Sequence, residues 1–293
     1  MPGVRRLAAV TDLVGEREGF LIDLWGVVHD GEALGEGLAD AIVELAARGA
    51  RICFLSNTSR LGSDVAAELV TMGIPRDAFL DVVSSGDVTR EALVSRDEAV
   101  FARCPASPRV LHVGNLAYVP WLHETGLEIV LEAERAELVI ATGSSSGEAA
   151  LAEVRARLAP LAPRGVPLVC TNPDRLIPSR RGLGIGPGAI AHAYAELGGA
   201  TFLFGKPHPP IYRAALARLG CAPDRVVAIG DMLETDIAGA RRASIASVLV
   251  TTGVHRDVLG ESPTDAALDA LFVAEGVAPD AVLARFGQRT REG

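Results

Sequence analysis

Short, unbroken apolar runs that stop on polar residues recur along this chain. Phe20-Leu21-Ile22 stops on Asp23, Ile52-Cys53-Phe54-Leu55 on Ser56-Asn57-Thr58, and Val226-Val227-Ala228-Ile229 on Gly230-Asp231. Runs this short without polar alternation predict strands buried on both faces, the pattern of a parallel sheet covered by helices. Between them, Leu38, Ile42, Leu45 and Ala46 stand at helical spacing within Glu36 to Arg48, closed by Gly49. Strand Arg51 to Leu55 follows, then a helix around Ser63 to Met72 ending at Gly73, then Val82-Val83 before Ser84-Ser85-Gly86. This βαβα order predicts an α/β fold with right-handed crossovers.

From about residue 87 the pattern starts again, with strands at Val110–Val113, Glu128–Leu131, Leu138–Ala141 and Val166–Cys170 and a helix over Glu148–Leu161. We read residues 87–199 as an inserted α/β domain and 1–86 with 200–293 as the domain that receives it, hinged near Gly86 and Gly199. The chain is expected to return through Thr201-Phe202-Leu203-Phe204 and to complete the first sheet with Val226–Ile229 and Ser247–Val250. Gly184-Ile185-Gly186-Pro187-Gly188-Ala189 has the glycine spacing of a dinucleotide fingerprint, but it follows Arg180-Arg181 and no predicted strand. It is assigned instead to the start of a helix over Ala189–Leu197, and no nucleotide cofactor is expected there.

In open α/β sheets ligands collect beyond the carboxyl ends of the strands. Here those ends carry Asp23, then Ser56 and Asn57, and finally Asp231 with Asp236, while Phe204-Gly205-Lys206-Pro207-His208-Pro209 adds a cation in a turn. A carboxylate, a hydroxyl, an ammonium and a carboxylate pair in this order make one candidate catalytic site.

Charge and composition narrow the setting. Twenty-eight basic against 37 acidic residues give a net charge of −9 and a pI near 5.2, with no basic stripe for a nucleic-acid backbone. At 293 residues, roughly three quarters of the unfolded chain's surface can be buried. Cys53, Cys104, Cys170 and Cys221 form no C-x-x-C pair, and two of them lie inside strand runs, which fits a reducing cytoplasm. No apolar run approaches the ~20 residues of a membrane span, and Leu7–Val10 is too short for a signal-peptide core. The histidines show no zinc-ligand spacing.

The four segments around Asp23, Ser56, Lys206 and Asp231 resemble the four motifs of the haloacid dehalogenase (HAD) superfamily of hydrolases. The short spacing from Asp23 to Ser56, the long insert before Lys206 and the string Thr171-Asn172-Pro173-Asp174 resemble its class IIA branch, which includes sugar-phosphate, pyridoxal-phosphate and p-nitrophenyl-phosphate phosphatases. The resemblance implies a Rossmann-like parallel-sheet core with an inserted α/β cap of the C2 type. It implies a Mg²⁺-dependent phosphatase of small phosphorylated metabolites with Asp23 as nucleophile, forming an aspartyl-phosphate. Asp231 and Asp236 are then metal ligands along with Asp23 and the backbone carbonyl of Trp25, an oxygen-only set that suits Mg²⁺. Ser56, Asn57 and Lys206 bind phosphate, and Asp174 lies among the substrate-reading residues of the cap. A homodimer stays open, and neither nucleic acid nor membrane is expected as a partner.

The chain departs from most phosphatases of the superfamily at position 25, where a second aspartate protonates the leaving group. An indole cannot do so. His29 and Asp30 in the same loop are candidate substitutes, and Asp23-Leu24-Trp25-Gly26-Val27-Val28-His29-Asp30-Gly31 resembles a sub-branch of class IIA that shares the change. Two alternatives remain: an enzyme like the 2-haloacid dehalogenases, which carry an aromatic residue there, or a phosphometabolite-binding protein with little turnover.

Overall fold

The computed structural model describes residues 4–114, 116, 119–143, 148–179 and 182–287. The chain divides into two compact units, one of residues 1–56, 62–83 and 206–293 and one of residues 57–61 and 84–205. In chain order the strands are β1 (Arg5–Leu7), β2 (Gly19–Asp23), β3 (Arg51–Ser56), β4 (Asp81–Ser84), β5 (Val110–Val113), β6 (Ile129–Val130), β7 (Leu138–Ala141), β8 (Leu168–Cys170), β9 (Leu176–Ser179), β10 (Gly182–Ile185), β11 (Thr201–Leu203), β12 (Val226–Gly230), β13 (Ala246–Val250) and β14 (Ala281–Leu283).

The first unit is built on a seven-stranded sheet in the order β1-β14-β13-β12-β2-β3-β4. Its centre is β12-β2-β3, paired in parallel with Ile22 beside Ile229 and Asp23 beside Leu55. All five residues of β2 and of β12 are buried, as unbroken apolar runs require. One face is covered by the helix Leu38–Ala47, which buries Leu38, Ala41, Ile42 and Leu45 against Phe20, Ile22 and Phe54. Leu38, Ile42 and Leu45 each contribute roughly 1.5–3 kcal/mol on leaving water. Ala46, expected on that face, packs against the same core but is only partly buried. Phe54 and Phe79 meet edge to face at 5.2 Å, which fixes the floor under the carboxyl end of β3.

The second unit carries a parallel five-stranded sheet in the order β11-β8-β7-β5-β6 and an antiparallel hairpin of β9 and β10. Two expectations change here. The Thr201–Leu203 strand does not return to the first sheet; it pairs in parallel with β8, Thr201 beside Leu168 and Leu203 beside Cys170. The helix Ser85–Ser95 also falls in the second unit, so the observed divisions lie at 83/84 and 205/206 instead of 86/87 and 199/200. That helix opens on a reciprocal cap, in which the Ser84 hydroxyl accepts from the Asp87 amide and the Asp87 carboxylate accepts from the Ser84 amide, each at 2.9 Å.

The glycine-rich segment has a packing explanation. Gly184 lies within β10, and the helix after it starts at Pro187, earlier than the expected Ala189, with proline at the first helical position. The preceding strand therefore belongs to a hairpin and not to a βαβ unit. A Cβ on Gly186 would lie 2.0 Å from the carbonyl oxygen of Asp174, and one on Gly188 would lie 1.9 Å from that of Pro173. The amides of Gly186 and Gly188 donate to the carbonyls of Arg175 and Asp174 at 2.8 and 3.1 Å. These glycines thus let the helix start press on the Pro173–Arg175 segment, and its first amides are used there and not on a phosphate.

At the carboxyl end of the second sheet, the His112 ring Nε2 pairs with the Thr142 hydroxyl at 2.8 Å. Burial, then the charges of His123 and Arg157, lower the His112 pKa to about 4. An unfolded histidine titrates near 6.5, so the stability gained by keeping this ring neutral is fully present above that pH and is lost as pH falls from about 6.5 to about 4. We predict that the stability of the native chain relative to His112→Asn falls by about 3 kcal/mol between pH 7 and pH 4, measured by urea unfolding. A pH-independent difference between the two proteins would contradict the assignment.

Candidate functional site

Four charged side chains meet at the carboxyl ends of β2 and β12. Asp23 is the last residue of β2, and Asp231 follows the last residue of β12, so the parallel register carries both acids to the same edge. Asp236 comes five residues later on a π-type turn over Leu233–Ile237, where its carboxylate accepts from the Met232 amide at 3.2 Å. Lys206 Nζ donates to Asp23 Oδ1 at 2.5 Å and to Asp236 Oδ1 at 2.7 Å, with all three side chains nearly fully buried. One carboxylate oxygen from each of Asp23, Asp231 and Asp236 lies within 4.8 Å of the others.

The backbone fits closely around these acids. Gly26, at φ +87°, and Gly253 each approach the Asp231 carboxylate so tightly that a Cβ would sit 2.1 and 2.2 Å from its Oδ2. That oxygen accepts from the Val254 amide at 2.8 Å. A side chain at either glycine would displace the carboxylate.

Burial unbalances the charges. It raises the Asp23 carboxyl well above the ordinary range, opposed by Lys206 and reinforced by Asp236 and Asp231. Asp231 is raised to about 7, by burial first and then by the Asp236 charge, against the donated Val254 amide. Burial alone would pull the Lys206 ammonium down; the attraction of Asp23 and Asp236 outweighs it and holds the group protonated. Three carboxylates face one ammonium, so the full ionic form carries two uncompensated negative charges. A divalent cation would balance that difference, and an all-oxygen donor set suits a hard one.

The remaining predicted residues are placed in two groups. Ser56 ends β3, beside the strand of Asp23, and is partly buried. Trp25 follows Asp23 by two residues in the first unit and is 46% exposed. Asn57 and Asp174 both belong to the second unit, where Asn57 Nδ2 donates to Asp174 Oδ1 at 2.9 Å. Asp174 is further set by its own amide, which donates to Asn172 Oδ1 at 2.8 Å, an Asx-type turn. The Thr171-Asn172-Pro173-Asp174 string is therefore tied directly to the segment after β3.

Of the two candidate substitutes for the missing acid, Asp30 is a turn former. Its Oδ1 accepts from the amides of Glu32 and Ala33, both at 2.9 Å, and these bonds hold its carboxyl below the usual range. It is ionised and has no proton to give. His29 Nδ1 accepts from the Gly31 amide at 3.1 Å, so in the neutral ring the proton sits on Nε2, and burial lowers its pKa.

Sequence reasoning missed Tyr212, whose buried hydroxyl donates to the carbonyls of Thr235 and Asp236 at 3.2 and 3.3 Å and so pins the turn that carries Asp236. A tyrosine in an apolar helical stretch gives no signal of this. It also missed the loop after β13, which holds Asp231 through Gly253 and Val254; that loop follows a readable strand, Ser247–Val250, at the same sheet edge.

Residues 20–128 match a family model described as haloacid dehalogenase-like hydrolase, and residues 203–285 match one described as HAD-hydrolase-like. The chain is 32% identical over 248 residues to D-glycerol 3-phosphate phosphatase of Mycobacterium tuberculosis, a match covering 82% of this chain and 64% of that protein. It therefore spans slightly less than two thirds of that relative's length. It is 30% identical over 256 residues to the sugar-phosphatase AraL of Bacillus subtilis, covering 85% of this chain and 88% of that one. A crystal structure of a haloacid dehalogenase-like family hydrolase from Brucella suis 1330 matches with a TM-score of 0.76 at 29% identity, over 94% of this chain and 98% of that chain.

The charge balance around Lys206 generates a test. Lys206→Met leaves Asp23 and Asp236 without their shared counter-ion, and removing one partner of a buried pair costs about 3–5 kcal/mol. We predict a loss of this size in urea unfolding at pH 7 with a chelator present, and a smaller loss at pH 5, where the raised Asp23 and Asp231 carboxyls take up protons. A loss below about 1 kcal/mol at pH 7 would remove Lys206 as the counter-ion of the cluster.

Proposed function

Because the chain belongs to the haloacid dehalogenase-like hydrolases, in their class IIA branch, we propose that it is a Mg²⁺-dependent phosphatase of small phosphorylated metabolites. The observation that carries this reading is the buried cluster of Asp23, Asp231 and Asp236 around Lys206. The names of the relatives, a glycerol-phosphate phosphatase and a sugar-phosphatase, support a small phosphorylated substrate. We place the protein in the cytoplasm on the grounds of its cysteine usage. We read the second unit as a C2-type cap, with Asp174 among its substrate-reading residues and Asn57 holding Asp174 in place.

In this mechanism Asp23 attacks phosphorus, an Oδ–P bond forms, and the bond from phosphorus to the leaving oxygen breaks. The ammonium of Lys206 stabilises the charge on the phosphoryl oxygens through both displacements, and the Ser56 hydroxyl donates to them. Water then displaces Asp23 from phosphorus and releases inorganic phosphate. A divalent cation held by Asp23, Asp231, Asp236 and the carbonyl of Trp25 would neutralise the acids and orient the phosphoryl group. Halide displacement does not need acids at 231 and 236, so their gathering around Asp23 favours phosphoryl transfer over dehalogenation.

Three outcomes are expected. Asp23→Asn, nearly isosteric, loses at least 99% of phosphate release while keeping the native fold by circular dichroism; a retained rate above about a hundredth of the native one contradicts a covalent role. Saturating Mg²⁺ stabilises the native protein by about 2.7 kcal/mol at a hundred times its Kd. That gain disappears in Asp231→Asn and persists in Ser56→Ala, read by thermal denaturation, and equal losses would contradict the assigned roles. Finally, with no acid at position 25, the rate depends steeply on leaving-group pKa, so phenyl phosphate is cleaved far faster than propyl phosphate. Trp25→Asp raises alkyl phosphate turnover by up to ~10²- to 10⁴-fold. A flat dependence in the native enzyme would make His29 the proton donor, tested by His29→Ala.

A further inference from the structure

We propose that Tyr212 is a positioning residue that sets the cation preference of the acid cluster: its hydroxyl fixes the main chain that carries Asp236 and so favours Mg²⁺ over the larger Ca²⁺. This rests on the reading of Asp23, Asp231 and Asp236 as a metal site and names a residue that tunes it.

Asp236 stands on an unusual piece of backbone. Leu233–Ile237 form a π-type turn, in which the Ile237 amide reaches back five residues to the Met232 carbonyl at 3.3 Å, an oxygen the Asp236 amide also uses at 3.0 Å. Such turns are rare and occur mostly singly, at functional sites. The Asp236 carboxylate is closely confined. A Cβ on Gly230 would stand 2.1 Å from its Cγ, Lys206 Nζ donates to Oδ1 at 2.7 Å, and the Met232 amide donates to Oδ2 at 3.2 Å. These contacts grip the side chain, and a different residue grips the carbonyls of the turn.

That residue is Tyr212. Its side chain is 2% exposed, and its hydroxyl shares one proton between the carbonyls of Thr235 and Asp236, at 3.2 and 3.3 Å. A glycine admits it. A Cβ on Gly239 would lie 2.2 Å from the Tyr212 hydroxyl oxygen and 2.6 Å from Cζ, so any side chain there would push the phenol off the turn. Tyr212 lies on the helix Pro209–Leu219, which begins three residues after Lys206. One short segment therefore holds Asp236 twice, Lys206 by its carboxylate and Tyr212 by its main chain.

A fixed backbone under one ligand matters differently to the two cations. Mg²⁺ demands near-ideal octahedral geometry with oxygens at about 2.0–2.1 Å, whereas Ca²⁺ accepts flexible shells at about 2.3–2.6 Å. Loosening Asp236 therefore penalises the smaller ion more. In Tyr212→Phe the ring still fills the same volume, so the packing stays and the anchor on the Asp236 main chain is what is lost.

Calorimetric titration of the metal-free protein with Mg²⁺ and with Ca²⁺ tests this without recourse to turnover. Tyr212→Phe should weaken Mg²⁺ binding about three- to tenfold and Ca²⁺ binding by less than about twofold. Gly239→Ala, which keeps the hydroxyl in the chain but displaces the ring, should move the preference in the same direction. Tyr194→Phe is the control for the loss of a buried phenol hydroxyl. Tyr194 is fully buried and donates to the Val166 carbonyl at 2.7 Å in the second unit, so this variant should lower the melting temperature and leave both affinities unchanged. Native Mg²⁺ affinity in Tyr212→Phe, equal weakening of both cations, or the same change of preference in Tyr194→Phe would overturn the proposal and leave the metal site standing. A native protein that bound neither cation would remove the metal reading itself, and the proposal with it.

Discussion

The first unit is organised around a charge imbalance that a protein interior does not tolerate alone. Three carboxylates share one ammonium out of water, and desolvation drives Asp23 and Asp231 toward their neutral forms while Lys206 holds its proton. Such a cluster persists only where the surrounding chain is rigid, and the surroundings show it. Asp231 is clasped between two glycines and the Val254 amide, and Asp236 is held by the Met232 amide on a turn that Tyr212 fastens from behind. The apolar strands beneath supply the framework, because every residue of β2 and β12 is buried. The core's stability thus goes into holding together charges that are unstable alone.

Much of this was legible in the sequence for one physical reason. A strand buried on both faces admits no polar residue until it ends, so in a parallel sheet the first polar positions after apolar runs mark the edge where chemistry occurs. Asp23, Ser56 and Asp231 all announce themselves in this way, whereas Asp236 is marked only by the resemblance of its segment to a family motif. The sheet to which a short strand belongs carries no such mark. Thr201–Leu203 looks the same whichever sheet it joins, and only its pairing with Leu168–Cys170 decides. Likewise β1 and β14 are three residues each, and Arg5-Arg6-Leu7 is too polar to read as a strand.

The roles of polar loop residues were legible only in part. Asp30 and His29 look equivalent as candidate acids, yet two backbone amides occupy Asp30 and leave it no proton. The glycine spacing at 184–188 reads as a helix start, but its partner, the carbonyls of Pro173 and Asp174, is not visible in it. In both cases the competing partner is main chain, which has no identity in the sequence. The Asn57–Asp174 pair, 117 residues apart, is equally invisible to local reading.

The pairing of β1 with β14 constrains how the molecule can be assembled during translation. Arg5 lies beside Ala281 and Leu7 beside Leu283, and Asp23 finds Lys206 across 183 residues, so the first sheet joins early and late segments of the chain. The second unit, apart from residues 57–61, is a continuous stretch from 84 to 205. On the ribosome that stretch emerges whole and can pack while β12, β13 and β14 are still unmade. The buried acids cannot be gathered until those last strands arrive. Ile52–Leu55 can pair early with β2 and β4, but the side of Phe20-Leu21-Ile22 that receives β12 stays an unpaired apolar edge through most of synthesis, which is the interval in which the chain is most exposed to aggregation.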